Sequence, residues 1–340
     1  METLWFCLVA IMITGYVILD GYDLGAGFVH LFAAKTKDER ALVLKSIGPY
    51  WDGNEVWLLA GGGTLFFAFP GLYASSFSGF YLPLMMVLWL LMLRGISIEL
   101  RNHIDSPIWH PFWDLTFGIA SALLAVFYGA ALGNVIRGVP LNREGEFFLP
   151  LWTHWGVHGN VGILDWYTVL TGVFALSALA MHGSLWVWLK TGGALQARVR
   201  RLAFTCTIVT AGLTLLVSLV TFSVQPKISE SFAERPWGVV FPLIALAGLA
   251  GVFLYLRQEN EPRAFIASCV YLLGMMTSVV FGVFPMVLPS NGDPNLSLTI
   301  YNTAAAHYGL RIGLMWWIPG MILAGIYSLI VYRRFAGKVG

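Results

Sequence analysis

The chain has 340 residues, 58% of them hydrophobic and only 11% charged, with a mean hydropathy of +0.74 and a formal net charge of +2. Soluble domains carry about 25% charged residues, so this composition excludes a water-facing globular protein. The absence of any Lys/Arg run leaves no nucleic-acid surface.

The apolar residues arrive in blocks of helical-span length, because a hydrocarbon layer of roughly 30 Å needs about 20 residues at 1.5 Å rise each. Nine spans are predicted, near 4–32, 53–70, 77–98, 114–136, 161–189, 202–224, 237–256, 264–288 and 306–332. Polar and turn-forming residues between Lys35 and Lys45, Asn102 and Pro111, Arg137 and Pro150, Gln258 and Arg263, and Pro289 and Asn295 are read as loops. With no room for a soluble domain, residues 1–340 are expected to form one polytopic membrane domain. The first block opens Met1-Glu2-Thr3-Leu4-Trp5 without a basic leader and runs too long for a signal core, so it is expected to persist as the first span.

Ionisable groups inside such spans call for explanation, since each costs a few kcal/mol near the bilayer centre unless paired or hydrated. The first span carries Asp20-Gly21-Tyr22-Asp23-Leu24-Gly25-Ala26-Gly27. Asp20 and Asp23 are three residues apart and share a helix face. Two readings stand for them: a proton-holding pair, or a carboxylate that caps or pairs with an arginine of a neighbouring helix. The glycines form a small-residue face for close helix packing. The second span opens Gly48-Pro49-Tyr50-Trp51-Asp52-Gly53-Asn54-Glu55-Val56-Trp57, again with acids, Asp52 and Glu55, at a three-residue spacing. Asp52 alone could be a helix cap, but a cap needs no flanking tryptophans. In the third span Arg94 is read as snorkelling or pairing. Glu99, Arg101 and Asp114 are weaker candidates as supporting polar residues, and Asp165 opens the fifth span.

Of the histidines, His30, His182 and His307 fall in predicted spans, where two facing imidazoles can ligate a b haem. No spacing enforces such a pairing, so hydrogen-bonded membrane histidines are the preferred reading. Cys7, Cys206 and Cys269 lie in apolar blocks without ligand spacing and are read as buried free thiols. No residue is therefore assigned to a metal or cofactor.

Lys and Arg counts set the orientation. With the N-terminus outside, the inward segments hold Lys35, Lys37, Arg40, Lys45, Arg94, Arg101, Lys190, Arg198, Arg200, Arg201, Arg257, Arg263, Arg333, Arg334 and Lys338. The outward ones hold only Arg137, Arg143, Lys227 and Arg235, with Arg311 at the start of the last span. The expected fold is thus all-α and integral to the membrane: about nine transmembrane helices, N-out and C-in, as two four-helix bundles plus one extra helix.

At its two acidic clusters the chain resembles subunit II of the bd-type quinol oxidases. The matching stretches are Leu-Asp-Gly-Tyr-Asp-Leu-Gly-Ala-Gly (19–27) and Ile-Gly-Pro-Tyr-Trp-Asp-Gly-Asn-Glu-Val-Trp (47–57), supported by Phe77-Ser78-Gly79-Phe80-Tyr81 and Phe112-Trp113-Asp114. The resemblance covers essentially the whole chain. It implies a subunit of a respiratory complex that oxidises quinol on the outer side and reduces oxygen to water, generating a proton motive force in a bacterial or archaeal plasma membrane. The haems b and d would sit mainly in subunit I, the heterodimer partner, and a small accessory subunit is a further partner to consider. By the same resemblance Asp52 matches the family's proton-path carboxylate, Asp20 and Asp23 match its first-span acids, and Trp57 matches an aromatic on the oxygen route; Glu55, three residues from Asp52, is counted with the proton path. Family members differ in whether a quinone or a lipid occupies this subunit. A secondary transporter, favoured if Gly61 to Gly63 interrupt their helix, and a non-catalytic anchor of another respiratory complex are the alternatives.

Overall fold

The computed structural model describes residues 1–339, and among them the chain is almost wholly helical. In chain order the helices are α1 (Glu2–Phe32), α2 (Lys37–Ile47), α3 (Trp51–Ala68), α4 (Pro70–Gly79), α5 (Tyr81–Leu100) and α6 (Trp109–Arg137). They continue with α7 (Trp166–Lys190), α8 (Gly193–Val224), α9 (Pro226–Glu234), α10 (Val240–Arg257), α11 (Glu261–Val283) and α12 (His307–Arg334). The only sheet among the described residues is one antiparallel pair, β1 (Met286–Leu288) and β2 (Leu298–Thr299), in the last long connection.

Among the described residues eight helices are long and apolar enough to cross a membrane: α1, α5, α6, α7, α8, α10 with the turn before it, α11 and α12. The remaining predicted span, near 53–70, is α3, an 18-residue helix whose N-terminal end carries Asp52, Asn54 and Glu55, which lower its apolarity. Pro70 ends it and starts α4 at the position where a proline costs no hydrogen bond.

Two segments differ from the loop reading. Most of the segment read as a loop from Lys35 to Lys45 belongs to α2 (Lys37–Ile47). Its signal is a capping box: Thr36 accepts from the Glu39 N–H, and the Glu39 carboxylate accepts from the Thr36 N–H. In the α8–α10 connection, Pro226–Glu234 folds as the short helix α9.

α1 is the central element, packed against α3, α6, α7 and α11. Every residue from Asp20 to Gly27 is buried, so this part of the helix has no lipid-facing side. α7 is similarly enclosed from Ala178 to Trp188. The two cross where Gly25 meets Gly183, and a Cβ on either residue would run into the other's backbone. Small residues thus set the closest helix approach, as in other membrane bundles. α10 and α11 pair closely beside α7 and α8, whereas α12 lies along the outside with only Leu310 buried.

Candidate functional site

The acids of α1 diverge in partner. Asp20 is fully buried and receives a two-pronged clamp from the equally buried Arg94 of α5: Nη1 donates to Oδ2 at 2.7 Å, and Nη2 donates to Oδ1. The same guanidinium lies 3.4 Å from the Glu55 carboxylate of α3. One cation therefore sits between acids of two helices. Of the two sequence readings for Asp20, pairing with a neighbouring arginine is the one observed, and Arg94 pairs rather than snorkels.

Asp23 is also fully buried but has no cation. The Asn54 amide donates to its Oδ2 at 2.7 Å, and Oδ1 has no hydrogen-bond partner. Asn54 also reaches the Tyr22 hydroxyl at 2.8 Å and the Leu19 carbonyl at 3.1 Å, so it fixes α3 against one face of α1.

From that point a polar line leads to the end of the bundle that holds α2. Tyr22 Oη lies 2.6 Å from Tyr332 Oη of α12. The Tyr332 ring packs on Tyr50, whose hydroxyl accepts from Lys190 Nζ at 3.0 Å and donates to the Phe335 carbonyl at 2.9 Å. The line ends in a cavity of about 230 Å³ lined by Lys45, Tyr50, Lys190, Arg334 and Lys338 among others. Burial pushes the Tyr50 hydroxyl above its ordinary range, with the Asp23 charge adding to the effect.

Asp52 lies apart from this centre. It is exposed in the first turn of α3 and, among the described residues, takes part in no hydrogen bond or ion pair. Its neighbour Gly53 faces Tyr327 of α12, itself an exposed residue. Trp57, two residues beyond Glu55, lays its ring over Gly15 of α1. Glu99 is exposed, and its side chain is not part of the centre.

Arg101 and Asp114 form a second buried cluster instead. Asp114 Oδ1 lies 2.6 Å from His30 Nε2, Arg101 Nε donates to it as well, and Arg40 Nη1 donates to Oδ2 at 3.0 Å. On the opposite side, Asp165 caps α7 by accepting from the Tyr167 and Thr168 N–H groups at 2.8 and 2.9 Å, and it pairs with Arg137.

The span histidines are committed to hydrogen bonds. His182 uses both ring nitrogens, with Ser268 Oγ at 2.7 Å and the Ile18 carbonyl at 2.9 Å. His30 is held by Asp114, and His307 lies at an exposed helix start 3.0 Å from Glu2. His182 thus has no ring nitrogen left for iron, while His30 Nδ1 is buried without a partner. The transporter reading loses its structural cue, because α3 runs unbroken through Gly61, Gly62 and Gly63.

Sequence reasoning read Arg94 as snorkelling or pairing, and missed Asn54, Tyr22, Tyr50, Tyr332 and Lys190 as members of this network. Arg94 alone had a usable signal, as a charge in the middle of an apolar block.

Comparison with known proteins gives a consistent family. Residues 1–335 match the family model described as cytochrome bd terminal oxidase subunit II. The cytochrome bd ubiquinol oxidase subunit 2 of Bacillus subtilis (strain 168) is 30% identical over 342 residues, covering 98% of this chain and 96% of that protein. The cytochrome bd-I ubiquinol oxidase subunit 2 of Escherichia coli (strain K12) is 29% identical over 365 residues, covering 99% and 94%. Among solved structures, a chain of the bd oxidase from Geobacillus thermodenitrificans superposes with a TM-score of 0.78 at 17% identity, covering 98% of each chain, which establishes a shared fold.

Proposed function

This chain belongs to the cytochrome bd terminal oxidase subunit II family, and from that premise we propose that its buried acids carry protons from the inner membrane face towards a haem-bearing partner subunit. It is a multi-pass membrane subunit of a quinol oxidase, an oxidoreductase complex that includes subunit I. In a bd oxidase the haems supply oxygen binding and electron transfer; the residues of this chain act on protons.

One observation carries the reading: a charged centre of Asp20, Arg94 and Glu55, with Asp23 one turn along α1, lies deep in the bundle and joins a polar line to the Lys190 cavity. Inert scaffolds have no use for such a centre, because each uncompensated charge costs a few kcal/mol at membrane depth. Arg94 holds Asp20 and Glu55 as a fixed electrostatic frame. Asp23 Oδ1, buried and unbonded, is the acceptor position for a proton in transit. Tyr22 and Tyr332 are hydrogen-bonded hydroxyls able to accept and donate in turn, Tyr50 meets Tyr332 through its ring, and the Asn54 amide orients its neighbours without relaying.

With the N-out orientation expected from the Lys and Arg count, Asp52 is the surface acid at the inward end of α3, where protons enter or cross to the partner. The exposed faces of α3 and α12, including Leu59, Trp316 and Leu323, make the covering surface for subunit I. Trp57, wedged on α1 beside this face, lines the oxygen route. The inner plasma membrane of a bacterium or archaeon is the setting, and charge separates because protons for water are drawn from inside.

Asp52→Asn tests the reading in the assembled complex. Oxygen consumption with a quinol donor is expected to fall while the haem difference spectrum stays intact. Wild-type turnover would remove Asp52 from the path, and loss of the spectrum would favour the anchor reading.

A further inference from the structure

We propose that the cavity at the inward junction of α1, α2, α5 and α6 binds the phosphate headgroup of an anionic phospholipid. The cavity measures about 400 Å³, within the range of small-ligand sites. Its wall carries Lys35, Lys37, Arg40 and Arg101 against two carboxylates, Asp105 and Asp114. Those carboxylates are already taken: Asp114 by His30, Arg40 and Arg101, and Asp105 by Lys37 at 2.6 Å and His110 at 3.2 Å.

Cationic capacity is left over. Lys35 has no anion partner among the described residues, and its ammonium lies at an exposed position on the rim. Arg40 Nε is a buried donor with no acceptor, and His110 Nδ1 is a second buried ring nitrogen with no partner. Buried donors of this kind cost free energy unless something accepts from them. A phosphate diester supplies charged acceptor oxygens to both the guanidinium and the ammonium.

Position decides between a lipid and a soluble anion. The cavity opens where α1 and α5 end and α6 begins, on the side richest in Lys and Arg, and basic pockets between spanning helices on that side take anionic lipid headgroups. Its flank is apolar and exposed, with Phe32 65%, Ile108 79% and Phe112 56% accessible. Acyl chains attached to a phosphate in the cavity would run over this flank. A free phosphate has no use for it.

The test is native mass spectrometry of the whole delipidated complex in detergent, titrated separately with phosphatidylglycerol, phosphatidylcholine and inorganic phosphate. Wild type is expected to retain phosphatidylglycerol in preference to phosphatidylcholine, and millimolar inorganic phosphate is not expected to displace it. Removing two surface cations in Lys35→Ala/Lys37→Ala should weaken retention about thirtyfold. Both lysines are exposed, so the fold should survive. Arg40→Gln gives a second measurement and should weaken retention as well, with assembly followed by the haem spectrum. Equal retention of the two lipids, unchanged retention in the lysine variant, or displacement by inorganic phosphate would each overturn the proposal.

Discussion

Arg94→Gln is the sharpest perturbation of the charged centre. Arg94 and Asp20 are both 0% exposed, and the guanidinium also lies 3.4 Å from Glu55. Removing one partner of a buried ion pair costs about 3–5 kcal/mol, because the other charge stays buried without compensation. In Arg94→Gln two carboxylates lose their cation, which places it near 5 kcal/mol on that scale. Asp20→Asn leaves Arg94 with Glu55 and belongs near 3 kcal/mol. The double variant removes the mismatch, so it should recover about 2–3 kcal/mol relative to the sum of the singles. The assay is denaturant unfolding of each purified complex in detergent, followed by tryptophan fluorescence and compared with wild type. If Arg94→Gln lies within about 1 kcal/mol of wild type, or if the cycle is additive within about 0.5 kcal/mol, the pair is not the buried electrostatic frame described.

Other consequences are open to simpler measurements. Gly25→Ala places a methyl against the α7 backbone at the Gly183 crossing and should abolish accumulation of the folded chain, whereas Gly212→Ala, with open space around it, should not; expression and size-exclusion profiles separate them. His182→Phe breaks two buried hydrogen bonds and should cost about 1–3 kcal/mol of stability, yet leave the b-type difference spectrum of the complex unchanged, and a lost b signal would reinstate this histidine as a ligand. Glu39 is held below the usual carboxylate value of 4.5: burial opposes this, but the Lys35 and Thr36 N–H groups and the Arg198 guanidinium outweigh it. Its contribution is therefore complete above pH 4.5 and fades as pH falls through and below that value. Melting temperature against pH should show a shallower acid decline in Glu39→Gln; an unchanged slope would contradict the assignment.

The helices were legible because each spanning block carries its own length and apolarity, and the acids stood out within them. α2 carried a readable capping box in Thr36 and Glu39, but its charge density resembled a loop. The roles of the acids were less legible. Asp20 and Asp23 look equivalent at a three-residue spacing, and only the placement of α5 and α3 gives one an arginine and the other an asparagine. The tyrosine line was hidden for a different reason. Tyr22 and Tyr332 are 310 positions apart, and Tyr50 and Lys190 are 140 apart. No local periodicity encodes such meetings, and an aromatic near a span end is equally at home in an interfacial belt.

Proton uptake accompanying oxygen reduction is the direct test of the central claim. The fully reduced complex is reconstituted into vesicles and mixed with oxygen, and proton consumption on the inner-face side is timed against haem oxidation for wild type and Asp23→Asn. The account predicts normal first electron transfer in the variant, followed by slowed uptake and slowed water formation. Uptake at the wild-type rate in Asp23→Asn would contradict it.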